Sequence, residues 1–426
     1  LICALEVEAD AVHAVFDRFW EEEGRAYGQM TGDHNTYTTG VIGEHNVVLA
    51  YMPGMGKVNA ATVVASMRHS FPGVELAFVG GICGGVPFSA DKQTEIYLGD
   101  LIISTALVQY DFGRQYPAIF ERKDTLEDNF GRPSQRLRTW LNKLKTQRYR
   151  EKLQQDIMTS LWEVQQKVHE TTYPGLQKDR LYESSYLHNH HHSLNGVVCV
   201  ICRDDGTEIC QNAIKSTCDQ LRCEEAKLVP RLRSPDRAFE EHRPAIHFGR
   251  MGTGDTVMKS GFRRDEIAHR DNIIAFEMEG AGAWDHFPSL VVKGVSDYAD
   301  SHKNKGWQGH AAAVAAAGMK ALLRQWIHEM SEMPIRELST PDTSPQPARE
   351  RTAQQSSYTE YFLFNALTAK PQHLNRGRQY SWSNLTLAAW NIYEDIYNSM
   401  QKASDDGRVE SKSPLYVSEH MHSRSY

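Results

Sequence analysis

No apolar run in this chain reaches the roughly 18 residues that a helix needs to cross a bilayer. The richest stretch, AAAVAAAGMKALL from Ala311 to Leu323, carries Lys320 and reads as a buried helix of a soluble fold. A basic excess is also missing. The formal charge is −7 at pH 7, the opposite of the positive footprint of a general nucleic-acid binder, although a local basic pocket for a small anion stays open. Cysteine is scarce and odd in number, 7 in 426 residues. That argues against a disulfide scaffold and for a reducing, cytoplasmic compartment. No secretory signal and no internal repeat is visible. The chain starts at Leu1, already inside the apolar LICAL, so further residues are expected ahead of it.

What is there is an alternation. Short β-rich runs (LICAL, NVVLAYM at 46–52, VELAFVGGICGG at 74–85, GDLIIS at 99–104) alternate with helical spacing in EADAVHAVFDRFW and KVNAATVVASMRHSF. Strands alternating with helices predict an α/β fold with a largely parallel sheet. The alternation stops near Phe120 and resumes at AIHFGRMGTGD, so residues 1–120 and 245–330 are expected to form the core. Residues 121–244 are read as a charged, helical insertion that includes a histidine cluster and a short NGVVCVIC strand. A Pro-, Ser- and Thr-rich linker is expected at 334–357, and a partly helical tail at 358–426.

Four segments with polar groups end at strand tips or turns: ALEVEAD, VGGICGGV, FEMEGAG and VSDYADSHKNKGWQGH. In open α/β sheets, ligands bind outside the carboxyl ends of the strands. Glu8, Glu279 and Asp297 would meet there. A carboxylate cluster beside a glycine-rich turn suits cleavage of a glycosidic or N-glycosidic bond, whose transition state puts positive charge on the sugar. One carboxyl protonates the leaving group, another orients the nucleophile, and a third can hold ribose hydroxyls. Glu6 and Asp10 read as first-turn helix residues, where acids are favoured.

ALEVEAD, VGGICGG followed by LGDLIIS, FEMEGAGAW and KGVSDYAD, in that order, resemble the nucleoside phosphorylase and nucleosidase superfamily, the methylthioadenosine/S-adenosylhomocysteine nucleosidase type above all. YDFGRQYP (110–117) and ADSHKNKGWQGHAAAVAA (299–316) are similar to the purine nucleosidase domains of fungal immune-receptor-type proteins. The resemblance covers roughly 1–120 and 245–330. It implies a three-layer α/β/α fold around a mixed, largely parallel twisted sheet, and an assembly of two or more copies. It also implies roles: Glu8 activates the nucleophile, Met278 packs under the ribose, and Glu279 accepts bonds from the ribose hydroxyls. Asp297 gives its proton to purine N7, and Gly84 and Gly85 let the backbone approach sugar and base. Glu277, one residue before the sugar-binding pair, would brace the site.

Phosphorylases of that superfamily hold phosphate with an arginine before the glycine turn and a hydroxyl inside it. Val79 and Ile82 stand at those positions, so water is the favoured nucleophile and phosphorolysis the alternative. The resemblance to immune-type domains points to ATP as substrate. A third reading is a catalytically silent nucleotide sensor. Arg114, Lys303 and Lys305 are the cations available for a triphosphate. Lys57 follows PGMG at a helix start, a position suited to anions, but Tyr51 and Val58 break the P-loop pattern. No cofactor and no metal is expected. LHNHHH (187–192) and CVIC (199–202), with Cys210, Cys218 and Cys223, contain metal-ligating residue types. On a regular strand, however, Cys199 and Cys202 would point to opposite faces. Polar loop and small core cysteines are the preferred reading there, and small-residue packing is preferred for Cys83. His302 and His310 are expected to have capping or surface roles.

Overall fold

The chain opens with strand β1 (Ile2–Cys3) and helix α1 (Glu6–Val15), then an antiparallel ribbon of β2 (Arg18–Phe19), β3 (Tyr37–Ile42) and β4 (His45–Tyr51). Helix α2 (Lys57–Ser70) leads to β5 (Ala77–Gly85), β6 (Leu101–Gln109) and a small hairpin of β7 (Gly113–Gln115) and β8 (Phe120–Arg122). Helices α3 (Gln135–Lys145) and α4 (Gln147–Lys167) follow, then the short α5 (Val200–Arg203), α6 (Gln211–Lys215) and α7 (Cys218–Leu221). The chain then runs through β9 (Ile246–Thr253), α8 (Gly261–Asp271), β10 (Ile273–Glu277), α9 (Gly280–Trp284), β11 (Ser289–Asp297) and α10 (Gln308–Leu323). This computed structural model describes residues 1–327 except 26, 90–92, 118, 192–198, 204–208 and 233–242. The linker at 334–357 and the tail at 358–426 lie outside the described residues. Leu1–Met330 make one unit.

Among the described residues nine strands form one sheet, in the order β10-β9-β6-β11-β5-β1-β4-β3-β2. It is mixed: β11 is parallel to β5 and antiparallel to β6. Alternate residues face opposite layers, as a strand buried on both sides requires. Phe78, Leu290 and Val292 join the core under α1, α4 and α10, whereas Val79, Val291 and Val295 join the core under α2 and α9. Sheet and flanking helices together give the expected α/β fold with a mixed central sheet.

Helices α3 and α4 do not stand apart from this core. Leu137, Leu141 and Leu144 on α3, with Leu153, Ile157, Leu161 and Val164 on α4, repeat at three- and four-residue spacing and pack in one cluster with α1 and α10. Helix α10 is buried all round, and its single charge, Lys320, is matched by Asp17 at 2.7 Å and Glu163 at 3.3 Å. One expectation fails outright. The segment read as a strand through Cys199 and Cys202 is a helical turn at Val200–Arg203.

The sheet also closes on itself. Strand β10 pairs antiparallel with β5 through Ala275↔Gly85 and Phe276↔Gly84. On its other side β5 pairs with β11, where Asp297 stands opposite Gly84 across a bulge. Gly84 therefore has Phe276 on one flank and Asp297 on the other, and the carboxylates at the ends of β10 and β11 converge there.

Candidate active site

Glu8 lies in the first turn of α1 and is almost fully buried. Its Oε2 accepts from the amides of Ala4 and Leu5, both at 3.0 Å, and its Oε1 from the amide of Ile82 at 2.8 Å. Burial nevertheless outweighs these bonds, and with Glu279 nearby it raises the Glu8 pKa above the ordinary carboxylate range, against the pull of Lys293. Gly81 makes the contact with Ile82 possible. Its φ is +136°, and a Cβ there would sit 2.0 Å from Glu8 Oε1. Gly81→Ala is expected to cost about 1–3 kcal/mol in backbone strain alone and to displace Glu8. Thermal unfolding together with turnover would register both losses, and wild-type values for both would refute the assignment.

Glu277, at the end of β10, accepts through Oε2 from the amides of Glu279 at 3.0 Å and Gly280 at 2.8 Å. It thereby holds the turn into α9. Burial is the largest influence on it too, and raises its pKa. Met278 is half-buried between the two glutamates. Glu279 Oε2 accepts from Lys293 Nζ at 2.9 Å, and both side chains are buried. Burial alone would lower the Lys293 pKa. Glu279, Glu8 and Glu277 outweigh it and raise the pKa, so this lysine is a charged counter-ion to three carboxylates.

Asp297 ends β11. Its Oδ1 accepts from the amide of Ala299 at 2.9 Å, and its Oδ2 from Ser296 Oγ at 2.8 Å. Lys303 Nζ stands 3.0 Å from the same Oδ2. A Cβ on Gly84 would come within 3.1 Å of Asp297 Oδ1 and 2.9 Å of Ala299 Cβ, so a glycine keeps this loop in place. Gly85 lies beside it, paired with Ala275.

The structure thus brings Glu8, Glu277, Glu279, Asp297 and Lys303 into one neighbourhood of β5, β10 and β11. It leaves Arg114 exposed on the β7–β8 hairpin and Lys305 exposed on the loop before α10. Lys57, at the start of α2, is not open to an outside anion. Its Nζ bonds Asp111 at 2.7 and 2.9 Å, and its amide donates to Asp255 Oδ1 at 2.9 Å. Cys83 is buried and its thiol is pushed up by that burial, which leaves it unsuited as a nucleophile. His302 and His310 are buried rather than on the surface. Burial and neighbouring His188 push His302 down to about 3, so it is neutral.

Sequence reasoning missed Lys293. The signal was present: one lysine inside SLVVKGVSD, every residue of which is buried. A buried ammonium demands anionic partners, and the unexplained carboxylates were those partners. Gly81 and Ser296 were missed too. Nothing in their local sequence separates them from ordinary turn residues.

Residues 1–170 match the family model for the phosphorylase superfamily. A nucleotide-binding leucine-rich repeat (NLR)-like protein of Hyaloscypha variabilis is 31% identical over 328 residues, which cover 76% of this chain. The chain spans only 28% of that relative's length. Among solved structures, the 5′-methylthioadenosine/S-adenosylhomocysteine nucleosidase of Neisseria meningitidis in complex with methylthio-immucillin-A is similar at 16% identity and a TM-score of 0.42, covering 76% of this chain and 97% of its own. The futalosine hydrolase of Helicobacter pylori is similar at 16% identity and a TM-score of 0.41, with 76% and 96% covered. The residues matched to the phosphorylase superfamily carry Glu8 and the glycine-rich turn.

Proposed function

We infer that this chain hydrolyses the N-glycosidic bond of a purine nucleotide, ATP in particular, releasing adenine and ribose 5′-triphosphate. The match of residues 1–170 to the phosphorylase superfamily supports glycosidic cleavage of nucleosides as the reaction class. The observation that carries the finer reading is the meeting of Glu8, Glu279 and Asp297, from three different elements, beside one glycine-rich strand end. Glu279, fixed by Lys293, accepts hydrogen bonds from the ribose hydroxyls. Glu8 takes a proton from water as its oxygen attacks C1′. The C1′–N9 bond breaks toward the base, and Asp297 gives its proton to N7, so adenine leaves neutral.

Water is favoured over phosphate because the turn's anion-binding capacity is already used. The Ile82 amide donates to Glu8 itself, and Val79 is buried and apolar. A phosphate placed there would face a carboxylate without an arginine to offset it. A nucleotide is favoured over a free nucleoside because of Lys303. Acid work requires a proton on Asp297 Oδ2, which Lys303 now faces at 3.0 Å. A substrate phosphate offers Lys303 a stronger partner. The similarity to a nucleotide-binding NLR-like protein supports the same choice.

Incubation with ATP or adenosine, each with and without inorganic phosphate, tests this. Adenine and ribose triphosphate are expected from ATP, at a rate independent of added phosphate. Ribose 1-phosphate formed only when phosphate is added would replace hydrolysis by phosphorolysis. No base release from either compound would leave a nucleotide-binding module without chemistry.

A further inference from the structure

The geometry points to two zinc ions bound in the segment 188–223: one held by His190, Cys199, Cys202 and Cys210, and a second by His188, Cys218 and Cys223. Within each set the donor atoms all lie within 4.8 Å of one another. The finer distances are more telling. His190 Nδ1 is 3.5 Å from the sulfurs of Cys202 and Cys210, and His188 Nδ1 is 3.6 Å from those of Cys218 and Cys223. A tetrahedral zinc with bonds of about 2.3 Å to sulfur and about 2.0–2.1 Å to nitrogen sets S and N ligands about 3.5 Å apart. All four separations match that edge.

The surroundings fit metal ligands as well. His188 Nε2 lies 2.9 Å from the carbonyl of Ser216. A carbonyl only accepts, so Nε2 carries the hydrogen, and in the neutral ring that makes Nδ1, which faces the sulfurs, the nitrogen able to bind a metal. Cys210 Sγ accepts from the amide of Ala213 at 3.4 Å, a bond that suits a thiolate. The helical turn at Val200–Arg203 removes the objection that a strand would point Cys199 and Cys202 apart.

Energetics give the segment a need for metal. Among the described residues, and apart from Cys202, Cys210 and Cys223, its fully buried apolar cluster consists of Tyr182, Ala213 and Leu221, with Tyr186, Ile209 and Leu228 partly buried against it. So small an apolar cluster orders this segment only weakly by burial, and loop-rich segments of this kind commonly rely on disulfides or a structural metal. The cysteines are all unpaired. The ligand order is nested, with the His188, Cys218 and Cys223 set enclosing the other, so two ions would close two concentric loops. The first set is a closed Cys3His site. The second supplies three protein ligands and leaves one position for water or another donor. This unit backs onto the loop after Asp297: the His188 amide donates to Ser301 Oγ at 3.0 Å, and the Tyr182 ring stacks on His302 at 4.0 Å between centroids.

The test uses the full chain, expressed with added zinc and purified without chelator, and reads elemental metal content. Two zinc per chain are expected. Cys202→Ser should lose one and Cys218→Ser the other. Should either variant fail to fold, stripping wild-type protein with a chelator and reloading it with Co2+ is expected to give a thiolate-to-cobalt charge-transfer band that added Zn2+ abolishes. One zinc, lost in Cys202→Ser, would keep the first site and strike out the second. Zinc well below one per chain, iron in its place, or cysteines found as disulfides when titrated in denaturant without reductant would overturn the proposal. None of these readouts depends on the activity proposed above.

Discussion

Asp297→Asn is expected to lower the rate of adenine release by about 10²–10⁴-fold, the range that a positioned general acid contributes, while the protein stays folded. The two halves of that expectation rest on different contacts. Asparagine keeps the oxygen that accepts from the Ala299 amide at 2.9 Å, so the turn after β11 survives. What it loses is the partner of Lys303, whose side chain is 27% exposed and can swing into water. The Asp297 end of the pair is buried, but the substitution removes that buried charge instead of stranding it, and the ammonium left behind can be solvated, so unfolding does not explain a large loss of activity. The amide cannot give up a proton to N7, so the base would have to leave as an anion. A riboside whose leaving group departs without protonation, such as 4-nitrophenyl riboside, should therefore be far less impaired in the variant than ATP. Equal impairment of the two substrates, or near-normal turnover of ATP, would show that Asp297 is not the acid.

The fold was legible where periodicity was strong, and the site where residue types were unusual. VELAFVGGICGG and SLVVKGVSD became the paired central strands, and the alanine-rich stretch became the buried helix α10. Strand β3, YTTGVI, escaped notice because threonines and a glycine dilute its alternation. Its register is set by the hairpin with β4, from Tyr37↔Ala50 to Ile42↔His45, and not by its own pattern. Segment 121–170 looked like an insertion because its exposed faces are so charged, yet its leucines at helical spacing join the central core. The CVIC turn was misread for a physical reason: β-branched residues favour strands only when a neighbouring strand and a packing face are available. The carboxylates could be found because an acid in an apolar run is expensive. Their counter-ion lies 14 residues from Glu279 and far from Glu8 in sequence, so only the closed sheet reveals the pairing.

Removing that counter-ion should produce the largest stability effect in the molecule. In Lys293→Met a side chain of similar length replaces the buried ammonium and leaves Glu8, Glu277 and Glu279 facing one another without a cation. Breaking a buried pair from one side typically costs about 3–5 kcal/mol, because the remaining charge stays desolvated. For a unit of this size that corresponds to a fall in melting temperature of about 4–7 °C near neutral pH. The loss should also depend on pH, in a definite direction. Burial already holds Glu8 and Glu277 above the ordinary carboxylate range, and Lys293 opposes that rise. A carboxyl whose folded pKa exceeds its unfolded value contributes most to stability below the unfolded value, about 4.3, and loses that contribution as pH rises through the folded one. Without Lys293 the folded values move further up, so the gap between wild type and variant should widen from weakly acidic to neutral pH. Neutralising the direct partner as well, in Lys293→Met with Glu279→Gln, should recover part of the stability but not the activity, since the ribose would lose its acceptor. A pH-independent gap, or no recovery in the double variant, would mean that Lys293 acts through packing and not as the charge that allows three carboxylates to share one buried site.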